Sequence, residues 1–390
     1  MVSKIDAIKS PSIPFLLRKL FKDLPKTDLH VHIGGSTPLN LIKTFMKENG
    51  VHEDEIPKLL KLIKPDYESI TDILDAYYKV PEHVYTPSQF KRATFGIVQD
   101  AAKENVKILA PRTSILNKGG EPKEIVEATE QGLREGAEWV LKNHGYNMQT
   151  YLTILAQRYG TKEDSLKTAK LTTELAQRPN SMIRSFDLAG DESKHSIEEH
   201  AEALKYIKKE GPQVGVSLEA HAGETKSSGK ISGVESIKKA IECGVDSLAH
   251  ALQLAEDDEL RQLVIKNKIP VQMAPWSHVQ IKAVESYTKH PIKKFLNEGM
   301  NINLITDNRL MSQITLRKQL AQLWAHQLIT EWDEIKQVTI NGIKAAFLPE
   351  TEKQNLLKEA EKEFNNLEIR FARTIVRYLK NDARERLKIA

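Results

Sequence analysis

The chain has 390 residues, of which 40% are apolar and 28% charged, with a formal net charge of +4. That balance suits a globular protein with a sizeable core, and so small a basic excess gives no footing for a nucleic-acid partner. The one cysteine, Cys243, excludes an internal disulfide and any cysteine-based zinc site. No run approaches the roughly 20 apolar residues that cross a bilayer. The first residues, broken by Pro11 and Pro14 and dotted with lysines, lack the apolar stretch of a secretory signal. The expected setting is therefore cytoplasmic, with no membrane association.

Short β-rich runs recur along the chain at Thr27–His32, Val106–Leu109, Thr150–Ala156, Met182–Leu188, Val214–His221, Asp246–His250, Ile269–Ala274 and Asn301–Asp307. Helical patterns separate most of them, among them Lys123–Lys142, Lys162–Gln177, Ile197–Glu210 and Val234–Cys243. Strands that alternate with helices pair in parallel, and eight such units fit a closed TIM (β/α)₈ barrel better than an open sheet. The stretch from His32 to Val106 is too long for one crossover. It holds helix-like segments at Leu39–Glu48, Glu55–Ile63 and Thr71–Lys79, and 33–105 is expected to be a lid-like helical insertion at the barrel mouth. Glu350–Leu387 has the pattern of a charged amphipathic helix, a C-terminal extension packed on the barrel exterior. No linker composition divides the chain, so 1–390 is expected to form a single domain.

The polar residues at the strand ends carry the chemistry. In Asp28-Leu29-His30-Val31-His32, alternation along a strand turns His30 and His32 to one side. His221, His250 and Asp307 close the fifth, sixth and eighth runs, and Glu224 follows His221 by three residues. In a barrel those ends converge on one mouth, where three imidazoles and a carboxylate suit Zn²⁺ and a nearby glutamate can move protons. His278, at the seventh strand end, is a further candidate near the site. His52, His83, His144, His195, His200, His290 and His326 are expected to be surface or capping residues.

The blocks TDLHVHIGG (27–35), SFDLAGDE (185–192), SLEAHAGE (217–224), APWS (274–277) and ITDNRLMS (305–312), with the His250 strand end, resemble the adenosine deaminases of the metal-dependent amidohydrolase superfamily. The resemblance implies one Zn²⁺ per chain held by His30, His32, His221 and Asp307. It implies that His250 orients or deprotonates the attacking water and that Glu224 protonates the purine ring. It also implies that the Gly190 backbone N–H and Asn308 contact the base of a small purine nucleoside. Arg112 aligns with a family arginine and is expected in a structural ion pair.

Three positions depart from the family pattern. Gly34 stands where an acid usually holds the ribose hydroxyl, with Ser36 or Thr37 as hydrogen-bonding substitutes. Asn308 replaces a second aspartate, and Ala251 replaces a glycine. The implied reaction is hydrolytic deamination of adenosine or 2′-deoxyadenosine. The alternatives left open are deamination of a 5′-modified adenosine, of adenine or of N6-methyl-AMP, and an inactive nucleoside-binding relative.

Overall fold

A computed structural model describes residues 13–64, 67, 76–228 and 230–379. Its parallel sheet runs, in spatial and chain order, through β1 (Lys26–His32), β2 (Val106–Thr113), β3 (Leu152–Gln157), β4 (Ile183–Ala189), β5 (Ser217–Ala222), β6 (Ser247–His250), β7 (Val271–Met273) and β8 (Ile302–Leu304). The ring closes where Val31 bridges Asp307: the Asp307 N–H donates to the His30 carbonyl (3.0 Å) and the His32 N–H to the Asp307 carbonyl (2.9 Å). Helices surround the strands, so the expected TIM barrel is observed.

All eight expected strands are present, with shifted ends that have local causes. β2 continues through Pro111 to Thr113, although proline commonly ends a strand because it lacks an N–H. β5 begins only at Ser217, because Gly211–Val214 forms a 3₁₀ turn followed by Gly215 at φ +72°. β8 stops at Leu304, three residues before Asp307 turns left-handed at φ +62°.

The long first connection divides in two. Pro87–Ala102 is the barrel's own crossover helix, capped by Thr86 and Gln89 with proline at its first position. The material beyond an ordinary crossover is therefore shorter than 33–105. Leu39–Glu48 is helical as expected, and Ile56–Leu60 is the helical part of 55–63. The third expected helix is described only over 76–79, which is helical; 71–75 lie outside the described residues.

At the far end of the barrel, Phe15–Asp23 forms a helix that buries Leu17, Leu20 and Phe21. The Lys26 ammonium donates to the carbonyls of Phe21, Lys22 and Leu24, satisfying that helix's last turn. The C-terminal helix Glu350–Tyr378 packs beside it, with Glu363 paired to Lys107 at the start of β2 (2.6 Å). The expected continuation of this helix past residue 379 lies outside the described residues. Among the described residues no helix is long and apolar enough to cross a membrane.

Candidate active site

The C-terminal strand ends bring five metal-capable side chains together. His30 and His32 project from one side of β1, their Nε2 atoms 3.1 Å apart. Asp307 Oδ1 lies 3.3 Å from His32 Nε2 and 3.6 Å from His30 Nε2. The His221 ring is 4.6 Å from that of His30 and 4.9 Å from that of His250, centroid to centroid. One donor atom from each of His30, His221, His250 and Asp307 falls within 4.8 Å of all the others. His250 and Asp307 both adopt left-handed backbone, at φ +67° and +62°, turning their side chains inward just as the strands end.

Residues inside the barrel fix the orientation of these imidazoles. The Gln272 amide donates through Nε2 to Glu219 (2.6 Å), which aims its oxygen at His30 Nδ1 (2.7 Å). His30 must then donate from Nδ1 and present an unprotonated Nε2. His221 Nδ1 likewise faces the Asp187 carboxylate, at 3.2 and 3.1 Å from its two oxygens. Arg112, fully buried, joins Asp187 and Glu219 and also donates to the Leu29 carbonyl (2.9 Å). Burial alone would raise the Asp187 carboxyl, but His221 and Arg112 beside it hold it well below the usual carboxylate range. Burial pushes His30 and His32 well below the ordinary histidine range, keeping them neutral as metal ligands must be.

This donor set fits a divalent cation. Ligand bonds of about 2.0–2.1 Å in a tetrahedral shell place donor atoms roughly 3.3 Å apart. The three separations among His30, His32 and Asp307, from 3.1 to 3.6 Å, bracket that value. Bare Nε2 atoms backed by an amide and a carboxylate are also the usual support of zinc-binding histidines.

Glu224 faces the same cavity, 3.8 Å from His250. Its loop is held by Glu192, whose carboxylate accepts the N–H groups of Gly223 (2.8 Å), Glu224 (2.9 Å) and Thr225 (3.3 Å) and the Ser236 hydroxyl. Arg158, also fully buried, donates to the His221 and His195 carbonyls. Burial, with the Asp307 and Glu192 carboxylates nearby, holds the Glu224 carboxyl well above its usual range.

Gly190, Asn308 and Gly34 line the cavity. Gly190 has φ +124°, a backbone that requires glycine. The Asn308 amide oxygen is buried without a hydrogen-bond partner among the described residues. A β-carbon on Gly34 would stand 2.7 Å from the Pro81 Cβ, so the insertion itself fills the place of a longer side chain there. Ser36, expected to contact substrate, does not line the cavity. Its hydroxyl accepts the Arg309 N–H (3.0 Å) and faces the Asp307 carbonyl (3.5 Å), tying down the loop after β8. Thr37 is likewise turned away, donating to the Ile33 carbonyl (2.8 Å).

The profile of the family described as adenosine deaminase matches residues 25–363. The chain belongs to the adenosine deaminase family. An adenosine deaminase of Clostridium acetobutylicum is 29% identical over 87% of this chain and 98% of its own length. One from Clostridium perfringens is 27% identical over 86% and 97%. Among solved structures, an ADAL–IMP complex superposes with a TM-score of 0.77 at 21% identity, covering 90% of this chain and 99% of that one. An N6-mAMP deaminase of Arabidopsis gives 0.76 at 22% over 88% and 99%. A zinc-bound amidohydrolase of Burkholderia ambifaria gives 0.75 at 17% over 94% and 97%. Likenesses this distant speak for the shared barrel. The protein is a hydrolytic deaminase, which sets aside the inactive relative left open by the sequence.

In this deaminase two histidines differ from expectation. His290, expected at the surface, is 4% exposed and packs against His278, which is completely buried beside His250, in keeping with its candidacy near the site. His200 is also buried, bonded to Ser165 (2.7 Å) and the Arg158 carbonyl (3.1 Å) on the barrel's outer layer. Asp187, Glu192, Glu219, Gln272 and Arg158 were not singled out from the sequence as site residues. Their one local signal is a charged or amide group inside an apolar strand or strand end, which is costly to bury without partners.

Proposed function

We propose that the protein hydrolyses the amino group from adenosine and 2′-deoxyadenosine, producing inosine or 2′-deoxyinosine and ammonia. Glu224 carries this reading: a buried carboxyl, held well above its usual range by burial and by the Asp307 and Glu192 carboxylates, facing the same cavity as the metal-capable cluster. A carboxyl in that state is a proton donor placed where a purine ring would lie. His30, His32, His221 and Asp307 would hold one Zn²⁺, which when bound supplies Lewis-acid activation of water at neutral pH.

Glu224 gives its proton to the ring nitrogen beside the amino-bearing carbon and makes that carbon electrophilic. Water adds there and returns one proton to Glu224; its second proton passes to the amino group, which leaves as ammonia as the carbon–oxygen bond becomes a carbonyl. The Gly190 backbone N–H and the Asn308 amide, on the cavity wall, hold the remaining base nitrogens, the amide turning to offer its NH₂ because those nitrogens are acceptors. The lid residue Tyr78, edge-on to Tyr159 with ring centroids 5.3 Å apart, shields the cavity from water.

A second reading, deamination of a purine 5′-monophosphate such as N6-methyl-AMP, draws on Lys118, Thr113 and Ser114. An ammonium and two hydroxyls stand on the cavity wall, suited to a phosphate, while Gly34 offers no side chain to a ribose hydroxyl. Ammonia or methylamine release by the zinc-loaded protein separates the readings, using adenosine, 2′-deoxyadenosine, 5′-deoxy-5′-methylthioadenosine, adenine, AMP and N6-methyl-AMP. Preferred turnover of the two nucleosides is expected. Turnover confined to the nucleotides would move the assignment to the second reading, and no release from any of them, with zinc bound, would overturn both.

A further inference from the structure

Three buried histidines run outward from the candidate site in one hydrogen-bonded line. His250 Nδ1 lies 2.8 Å from His278 Nε2, and His278 Nδ1 lies 2.9 Å from His290 Nε2. At the outer end the backbone N–H of Ile292 donates to His290 Nδ1 (3.2 Å). The His278 and His290 rings stack at 11°, and the three side chains are at most 4% exposed.

A backbone N–H is a donor only, so it sets the direction of the whole line. His290 Nδ1 must be bare, which leaves the proton of the neutral ring on Nε2, where it is donated to His278 Nδ1. His278 is then protonated on Nε2 and donates to His250 Nδ1, and His250 in turn carries its proton on Nε2. Burial keeps the outer two rings neutral, holding His290 down to about 3 and His278 well below the ordinary range.

We propose that His278 and His290 are positioning residues whose hydrogen bonds, polarised by the Ile292 N–H, lock His250 as the Nε2–H tautomer. This deepens the site reading given above and rests on it. His30 and His221 are set the other way, by Gln272 and Asp187, and present bare Nε2 atoms. Two kinds of histidine thus meet in one cluster: those with a lone pair, fit to hold a cation, and His250, which offers a hydrogen-bond donor. Glu224 does not compete for His250 Nδ1, because 3.8 Å is beyond a hydrogen bond. The line is also closed as a proton exit, since passing a proton outward would put one on His290 Nδ1, against the Ile292 N–H. The proton cycle of the reaction stays with Glu224.

The test is nitrogen NMR of the full-length, zinc-loaded protein labelled with ¹⁵N-histidine, because protonated and bare ring nitrogens resonate far apart. His250, His278 and His290 are each expected to be protonated at Nε2 and bare at Nδ1. A proton on His250 Nδ1 would overturn the proposal without need of any variant. His290→Phe removes the donor to His278, so the His250 signals should move toward a tautomer mixture. Its kcat should fall roughly tenfold with little change in KM, the effect of one lost buried hydrogen bond. His290→Gln keeps a side-chain donor and should restore both. Unchanged signals and kcat in His290→Phe would refute the assignment. The expected tautomers in a protein that deaminates no purine would uphold the histidine line and refute only the proposed reaction.

Discussion

Glu224 shows how one residue's chemistry is set by its surroundings. An exposed glutamate gives up its proton near its ordinary carboxyl value, but burial beside Asp307 and Glu192 holds this one well above that range and favours the protonated form. Glu224→Gln preserves shape and loses the transferable proton. Turnover should fall by about 10²–10⁴-fold, the usual contribution of a general acid, with zinc content unchanged by metal analysis. Retention of more than a tenth of the activity would remove Glu224 from the proposed role. Gly34 is a second case. Its neighbour Pro81 leaves no room for a side chain, so Gly34→Asp would not simply install a missing acid. Overpacking of this kind costs about 1–3 kcal/mol, and a lowered Tm is expected on thermal unfolding.

Ala251 gives a third residue-scale case. It sits at φ +44° directly after His250, where glycine pays no steric penalty. The methyl is fully buried, and the left-handed backbone is a strain that glycine would not carry.

At the scale of elements, the site depends on loops anchored to one another. Glu192, after β4, holds the loop after β5 through three backbone N–H groups, which explains why two sequence blocks some 30 residues apart act as one unit. Glu192→Gln would turn an NH₂ toward donors that need an acceptor. Destabilisation of about 1–3 kcal/mol is expected, with faster hydrogen exchange over 223–225. Unaltered exchange there would show that the loop is held by other contacts. Asp187 plays the corresponding part between β4 and β5: it supports His221 and neutralises Arg112 in the barrel interior.

For the whole molecule, a cluster of neutral histidines makes stability depend on pH. In the metal-free protein His30, His32, His250 and His278 are held well below the ordinary histidine range, and His290 at about 3, chiefly by burial. Unfolding frees them to take up protons near pH 6.5, so the unfolded state binds more protons below that pH and stability falls as pH falls. Glu224, Asp307 and Asp28, the last raised to about 6, act in the opposite sense, because the folded state holds their protons to higher pH. The histidines outnumber them. The Tm of chelator-treated protein should therefore drop between pH 7 and pH 5, while added Zn²⁺ at pH 7 should raise it by binding the folded state. A flat profile over that interval would mean the histidines are less enclosed than their burial implies.

The barrel itself was legible in the sequence because each strand announces itself locally, as a short β-rich run ahead of a helical period. The residues that meet at the mouth were legible too, since a histidine or aspartate closing an apolar strand stands out and a barrel gathers those ends. What the chain alone did not disclose are contacts between loops far apart in sequence. Ser36 has the chemistry of a substrate contact, yet its hydroxyl is taken by the Arg309 N–H, 273 positions on. His290 looks like any surface histidine until folding buries it against His278 and sets the direction of a line that reaches His250. Residue type and strand period fixed which groups could do chemistry; only packing decided which of their nitrogens and oxygens remain to do it, because a hydrogen-bond partner is a fact of position in space and not of spacing along the chain.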